Sequence, residues 1–368
     1  MSRRPGRRHG LHRRCRCSLA WAAAIAIGLQ AGLAVTLDRG LVVLRNGPFH
    51  DKYQRLCQRL EGAARAEPLA SRGPWRAGVP EPVLILGSSR SAYGFRSGVM
   101  EERLAAETGR PVVVYNFSMY GAGPTMHLLN LRRLVQRGVR PSVVLVEVLP
   151  PLLGGSGPEP TEGRWLYTHR LDRDDLLTLE AIGFPTEPRW PVWRWSFWVP
   201  WYTQRFAILS RLYPTLLPWS CREDWALDTD AWGDSHLVAS ALATRRDEAI
   251  GRTYGEYHAL LSDFQLHAVS VAALRAILGL CREEGISVAL VLMPEGPAFR
   301  SWYPASAWAA IQAMLSEVQR DYGVPVVSTR DWLTEEDFLD SHHILPSSAQ
   351  RFSDRFVREA LLPAFYRY

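Results

Sequence analysis

Two short runs carry no polar side chain at all: Val83–Leu86 (VLIL) and residues 288–293 (VALVLM). A strand with one wet face alternates apolar and polar residues. An unbroken apolar run of this length reads instead as a strand covered on both faces. Similar runs stand at 112–115 and 143–148, with a shorter one at 325–328. Between them lie segments of helical spacing at Ser97–Thr108, Pro124–Gln136, 268–284, 305–321 and 347–362. Strands alternating with helices predict the α/β class, a three-layer α/β/α domain with a mostly parallel sheet. The alternation breaks off between about 150 and 262, where no strand pattern is visible. In sheets of this kind ligands bind beyond the carboxyl ends of the strands, so the residues that follow each run are the ones to read for chemistry.

The N-terminus sets a second constraint. Of 43 basic residues, seven arginines lie in the first seventeen positions, leaving 36 against 37 acidic residues in the remainder. The body is therefore close to neutral and offers no bulk electrostatics for nucleic acid. Residues 18–37 follow, with no charge and a single polar amide, Gln30. Twenty such residues span a hydrocarbon core as a helix, and the arginines before them predict a cytoplasmic N-terminus. The expected organisation is a basic tail (1–17), a transmembrane signal anchor (18–37), a juxtamembrane connector with a helix at 54–65 (38–80), and an α/β domain with an insert (81–368). The location is then single-pass membrane with the domain extracytoplasmic, periplasmic if bacterial. A cleaved signal peptide is the competing reading, disfavoured by the length of the run.

The insert has its own composition. Eight of fourteen tryptophans fall between Trp190 and Trp232, and the stretch PRWPVWRWSFWVPWYTQRF is broken by Arg189, Arg194, Arg205 and prolines. It is no second span. A lid packed on the core, contact with the membrane interface, and a stacking platform for sugar rings all remain open. The five cysteines include no C-x-x-C, so no zinc ribbon or thioredoxin-like site is expected. Cys15 and Cys17 sit in the tail, and Cys57, Cys221 and Cys281 permit at most one intrachain disulfide.

Three separated blocks carry the chemistry: Gly87-Ser88-Ser89-Arg90 after the first run, Asn116-Phe-Ser-Met-Tyr-Gly121 after the second, and Asp340-Ser-His342-His343 before the last helix. Taken singly, each has a plain reading: serine caps a helix, Asn116 turns a chain, and Asp340 caps the next helix. Taken together they supply a hydroxyl, a base with a carboxylate three residues ahead of it, and backbone donors at strand ends. Those are the needs of a serine nucleophile. Asp340 and His342 as a metal pair lack a third ligand at a recognisable spacing.

The order and strand context of these blocks resemble the SGNH, or GDSL-type, hydrolase and acyltransferase superfamily. The resemblance implies Ser89 as nucleophile, His343 as base and Asp340 as its orienting partner, with the N–H groups of Ser89 and Gly121 forming an oxyanion hole. Ser88 stands where the family has Asp. The family's G-x-N-D block after the third strand is absent; VVLVEVLPPL, with Glu147, stands there. Ser88, Arg90, Asn116 and Glu295 are expected as cleft contacts, with His169 a weaker candidate. The resemblance implies an esterase or O-acyltransferase acting on an acyl ester or carbohydrate substrate, with no metal or organic cofactor. The body would be held at the membrane by the N-terminal helix and would have envelope-assembly partners. A decayed, glycan- or partner-binding member of the same fold is the alternative.

Overall fold

A computed structural model describes residues 7–38, 45–66, 82–218, 222, 229–236 and 245–366. The breaker-rich stretch 71–81, Trp219, Cys221 and Trp225 lie outside them. In chain order the principal elements are α1 (Arg7–Asp38), α2 (Gly47–Ala66), β1 (Val83–Leu86), α3 (Ser89–Gly94), α4 (Ser97–Thr108), β2 (Val114–Asn116), α5 (Pro124–Gln136), β3 (Val143–Glu147), α6 (Arg173–Ala181), α7 (Arg189–Trp198), α8 (Pro200–Thr203), α9 (Arg205–Leu212), α10 (Arg246–Ser262), α11 (Ala268–Glu283), β4 (Ser287–Leu292), α12 (Ala305–Tyr322), β5 (Val326–Ser328) and α13 (Pro346–Phe356). A π-helical turn, Val357–Leu361, extends α13.

The chain divides into two compact units. The larger comprises Pro48–Tyr167, Asp172–Thr186 and Trp225–Tyr368. Its five strands are all parallel, in the order β2-β1-β3-β4-β5. The expected α/β class with a parallel sheet is what the structure shows. Strand pleating splits the core. Val83, Ile85, Val143, Leu145, Ala289 and Val291 share one cluster with Phe95, with Met100 and Leu104 of α4, and with Phe352 and Phe356 of α13. The alternate residues Leu84, Leu86, Val144, Val146 and Leu290 are equally buried, and α5 and α11 pack on each other as a second helical layer. β1 begins at Val83, after Pro82, whose carbonyl accepts from the Ser142 N–H (3.0 Å) but which has no N–H of its own to give. Val83 stands opposite Val114, and the second strand begins two residues later than its apolar run suggests.

The order 2-1-3-4-5 has one consequence for function. The chain winds from β1 to one side, then returns to build β3 on the other. The reversal lies between β1 and β3, and ligands bind in the crevice outside the carboxyl ends at such a point. Residues 87–89 and Glu147 are the two strand ends at that place.

The smaller unit comprises Met1–Gly47, Thr168–Leu171 and Glu187–Asp224. In α1, Arg16–Val35 is long and apolar enough to cross a membrane. The Trp-rich stretch forms α7, α8 and α9. Here α7 is tied to residues 168–171 by Trp193 Nε1–H donating to the Leu171 carbonyl (3.2 Å) and Arg189 to Thr168 Oγ1 (3.2 Å). The amide of α8's Trp201 donates to Gln30 Oε1 of α1 (3.4 Å).

Candidate active site

β1 runs into a turn that leaves no room for a side chain at its first residue. A Cβ on Gly87 would fall on the Ser91 side chain and within 2.6 Å of Glu147 Oε2. Glu147 ends β3, beside β1, and its buried carboxylate gathers the turn: it accepts from the Ser88 N–H (2.6 Å), Ser88 Oγ (3.0 Å) and Ser91 Oγ (2.7 Å). Ser88 Oγ also accepts from the Arg90 N–H (3.1 Å), capping α3. Ser88 is thus buried with its hydroxyl fully engaged. Its neighbour opens α3 half-buried, and Ser89 Oγ stands 2.9 Å from His343 Nε2.

The histidine comes from the loop before α13. Asp340 Oδ2 is 2.7 Å from His343 Nδ1, and Asp340 Oδ1 accepts from the backbone N–H of His343 (2.8 Å) and His342 (3.2 Å). One carboxylate so folds the four-residue turn back on itself. The bend puts Ser341 at φ 68°, a left-handed conformation that costs a non-glycine residue about 1–2 kcal/mol. Three bonds hold it there: Gly296 N–H to the Ser341 carbonyl (2.7 Å), Phe299 N–H to Ser341 Oγ (2.9 Å), and Ser341 Oγ to Glu335 Oε2 (3.1 Å). Burial pushes the Asp340 carboxyl up, but its electrostatic interaction with the His343 and His342 rings and the hydrogen bonds from His343 outweigh it. They hold the group well below the ordinary carboxylate range. Asp340 is ionised, so His343 Nδ1 carries a proton toward it and Nε2 is left to accept from Ser89 Oγ.

His342 differs from its neighbour. It is buried against the rings of Tyr257, Phe299 and His343, and neither ring nitrogen has a hydrogen-bond partner. Burial first, then repulsion by His343, keeps it neutral, with its pKa far below the usual value. Asp340, His342 and His343 each bring a ligand atom within 4.8 Å of the others, the arrangement among the described residues that best suits a metal ion. The Asp340–His343 contact is already a hydrogen bond between two of these three groups.

The second block lies alongside. Phe117 N–H donates to the Ile85 carbonyl and Met119 N–H to that of Gly87, each at 2.8 Å, so residues 117–121 run against the end of β1. Gly121 has φ 70°, and a Cβ there would enter the Trp165 indole at 2.5 Å; both facts demand glycine. Trp165 is placed by its own segment. Glu162 accepts from the N–H groups of Gly123 (3.1 Å), Thr125 (2.8 Å) and Met126 (3.3 Å), satisfying the orphan donors that open α5. Burial pushes Glu162 up to about 7 against the pull of those donors. Tyr93 sets its ring edge-on to His343 (5.4 Å) and tilts against Tyr120 (5.4 Å). Neither the Ser89 nor the Gly121 backbone N–H donates to any acceptor among the described residues.

Ser89, His343 and Asp340 are brought into one hydrogen-bonded series. The four residues expected as cleft contacts are placed otherwise. Asn116 is fully buried, its amide donating to the Ser91 carbonyl and Asp234 Oδ1 (3.0 Å each) while its oxygen accepts from the Ser118 N–H (3.1 Å). Arg90 turns inward to Glu295 Oε1 (3.2 Å) and the carbonyls of Met293 and Pro294. Glu295 also receives Arg330 Nε (2.6 Å) and the Tyr303 hydroxyl (2.8 Å). With Ser88, all four are buried and face protein rather than a cleft. His169 lies in the smaller unit, its carbonyl accepting from Gln204 (3.3 Å). The sequence reading missed Glu147's role, Trp165, Tyr93 and Glu162. A carboxylate closing an otherwise apolar buried strand was the available sign of the first.

A family model without a functional description matches residues 260–362, under a third of the chain. No curated protein matches the sequence. Among solved structures, a crystal structure of a Bacteroides fragilis protein proposed to be an acylhydrolase aligns with 10% identity and a TM-score of 0.36, over 84% of this chain and 98% of that one.

Proposed function

We propose that this chain is a membrane-anchored serine esterase or O-acyltransferase that works through an acyl-enzyme on Ser89. The observation that carries the reading is the series Ser89 Oγ–His343 Nε2 (2.9 Å) and His343 Nδ1–Asp340 Oδ2 (2.7 Å), drawn from chain ends 254 residues apart. Ser89 Oγ adds to the acyl carbonyl carbon as its proton passes to His343 Nε2. The ionised Asp340 stabilises the imidazolium so formed. The carbonyl oxygen takes up the electron pair and is held by the unengaged N–H groups of Ser89 and Gly121. Collapse breaks the ester C–O bond, and the departing alkoxide takes the proton from His343. Water, or a carbohydrate hydroxyl, then repeats the sequence on the acyl-enzyme. The apolar helix α1 holds the chain in the membrane with the α/β unit on the extracytoplasmic side, where envelope polysaccharide is the natural acyl acceptor or donor.

One observation favours a second reading, a catalytically weak glycan- or partner-binding protein. Where the resembling family has an Asn side-chain donor after the third strand, Glu147 stands as an acceptor consumed by Ser88 and Ser91. Loss of one such donor costs about 3–4 kcal/mol of transition-state stabilisation. Fluorophosphonate labelling of the full chain decides between them. Labelling that survives Ser88→Ala and vanishes in Ser89→Ala and His343→Ala supports the enzyme. No labelling of the folded wild type sinks it.

A further inference from the structure

The smaller unit is short of a core. Among its described residues the buried apolar side chains are Leu171, Pro200, Ala207 and Leu217. Its surface is the reverse. Of the large apolar side chains exposed among the described residues, all but Tyr167, Leu177 and Tyr254 belong to it. They include Trp195, Trp198, Trp201, Tyr202, Leu212, Tyr213 and Leu216. Soluble proteins rarely leave so many large apolar side chains exposed around so few buried ones. Its solvent has to be something other than water.

Depth identifies that solvent. The Trp201 N–H is bonded to Gln30, five residues before the end of the apolar stretch at Val35. At 1.5 Å per residue, this fixes α8 about 8 Å inside the C-terminal end of the span. Interfacial helices bury their apolar faces roughly 5–10 Å into the boundary between headgroups and acyl chains, and Trp and Tyr collect at that level. Charge agrees. Residues 188–222 contain five arginines, Arg189, Arg194, Arg205, Arg211 and Arg222, and no Asp or Glu. Arg205 lies over the rings of Tyr202 (4.0 Å) and Phe206 (4.2 Å), an aromatic body with a cationic tip suited to an anionic headgroup layer.

We infer that α7, α8 and α9 form an interfacial collar around the C-terminal end of α1, seated in an anionic bilayer surface. This rests on the proposal that α1 spans the membrane. The collar is an in-plane docking surface, distinct from a span.

The test uses the full chain in nanodiscs of phosphatidylcholine and phosphatidylglycerol, with bromine on the acyl chains at known depth. Trp21→Phe removes the tryptophan within the span and serves as background. The expected result is that shallow bromines quench a fraction of the fluorescence in this background. That fraction falls sharply when Trp195, Trp198 and Trp201, the exposed tryptophans of the collar, are also changed to Phe, and it shrinks when phosphatidylglycerol is omitted. Equal quenching with and without the three tryptophans overturns the collar, as does quenching by midplane bromines alone. Extraction of the wild type with alkaline carbonate reads the span independently. A chain released by carbonate removes the span, while one retained but unquenched at these tryptophans removes only the collar.

Discussion

The two units use the same residue types in opposite ways. In the α/β unit Phe95, Tyr115, Phe117 and Phe299 are all but inaccessible, and buried polar groups are joined into networks around Glu147, Glu295 and Asp340. In the smaller unit Trp195, Trp198 and Tyr202 are 65%, 79% and 64% exposed, and residues 188–222 carry no acid at all. The first arrangement is what water imposes on a chain: apolar area is hidden and most buried polar atoms find a partner, with the His342 ring an exception. The second is the arrangement expected where water is replaced, as the proposed interfacial collar requires. Aromatic content alone therefore says nothing of burial.

The sharpest way to break this division is to ask which unit holds the chemistry. Ser89→Ala and His343→Ala are each expected to lower kcat/KM for a soluble aryl ester on the order of 10⁴-fold or more. Both are expected to leave retention in carbonate-washed membranes unchanged. An Ser89→Ala chain that keeps its esterase activity would move the nucleophile elsewhere.

The next effect is on stability. Glu147→Leu strands the Ser88 N–H and two hydroxyls in a dry interior, at about 1–3 kcal/mol for a buried donor left unmade. Thermal unfolding of the α/β unit is expected to fall by several degrees. Ser88→Ala removes one hydroxyl and a cap, at about 1 kcal/mol. An unshifted midpoint in Glu147→Leu would mean that the buried carboxylate does not organise the nucleophile turn.

The parts of this arrangement that could be read from sequence were those that repeat locally. The apolar runs marked the strands because burial on both faces excludes polar residues from every position. Asp340 and His343 were legible as a pair because they stand three positions apart on one loop. What was hidden depends on distant partners. Arg90 and Glu295, both expected to face a ligand, meet each other across 205 positions, and no local pattern announces that pairing. Trp165 takes its place from Glu162, whose partners are the amides that open α5. The left-handed turn at Ser341 gave no sign either, since serine is not the residue that conformation favours. For the insert, sequence left a lid, an interfacial contact and a sugar platform all open, because the contact between Trp201 and Gln30 joins positions 171 apart.

A third prediction concerns charge buried in the α/β unit. Lys52 of α2 donates to the carbonyls of Asn116 (2.9 Å) and Gly233 (2.7 Å), and burial lowers its pKa from 10.5 to about 7, against the pull of Asp234 and Asp230. Above pH 7 the folded chain has lost this proton while the unfolded chain keeps it. The unfolded state then binds more protons, and this group's contribution to stability rises with pH. Between pH 7 and 8.5 the denaturation midpoint of wild type is expected to rise relative to that of Lys52→Met. Parallel curves would show that Lys52 stays charged when folded.

The smallest effect is the one that tests the proposed difference in solvent most finely. Gln30→Leu removes the acceptor of the Trp201 N–H, as Glu147→Leu removes that of Ser88. In a packed interior such a loss costs the full desolvation of the stranded group. At a bilayer interface the freed N–H finds water or a lipid headgroup, and hydrogen bonds between membrane segments average about 0.6 kcal/mol. Gln30→Leu is therefore expected to shift unfolding of the full chain in mixed micelles by a few tenths of a kcal/mol, and not to shift the midpoint of the α/β unit. A cost matching that of Glu147→Leu would place α8 in a dry protein interior, and the contrast between the units would fail at that point.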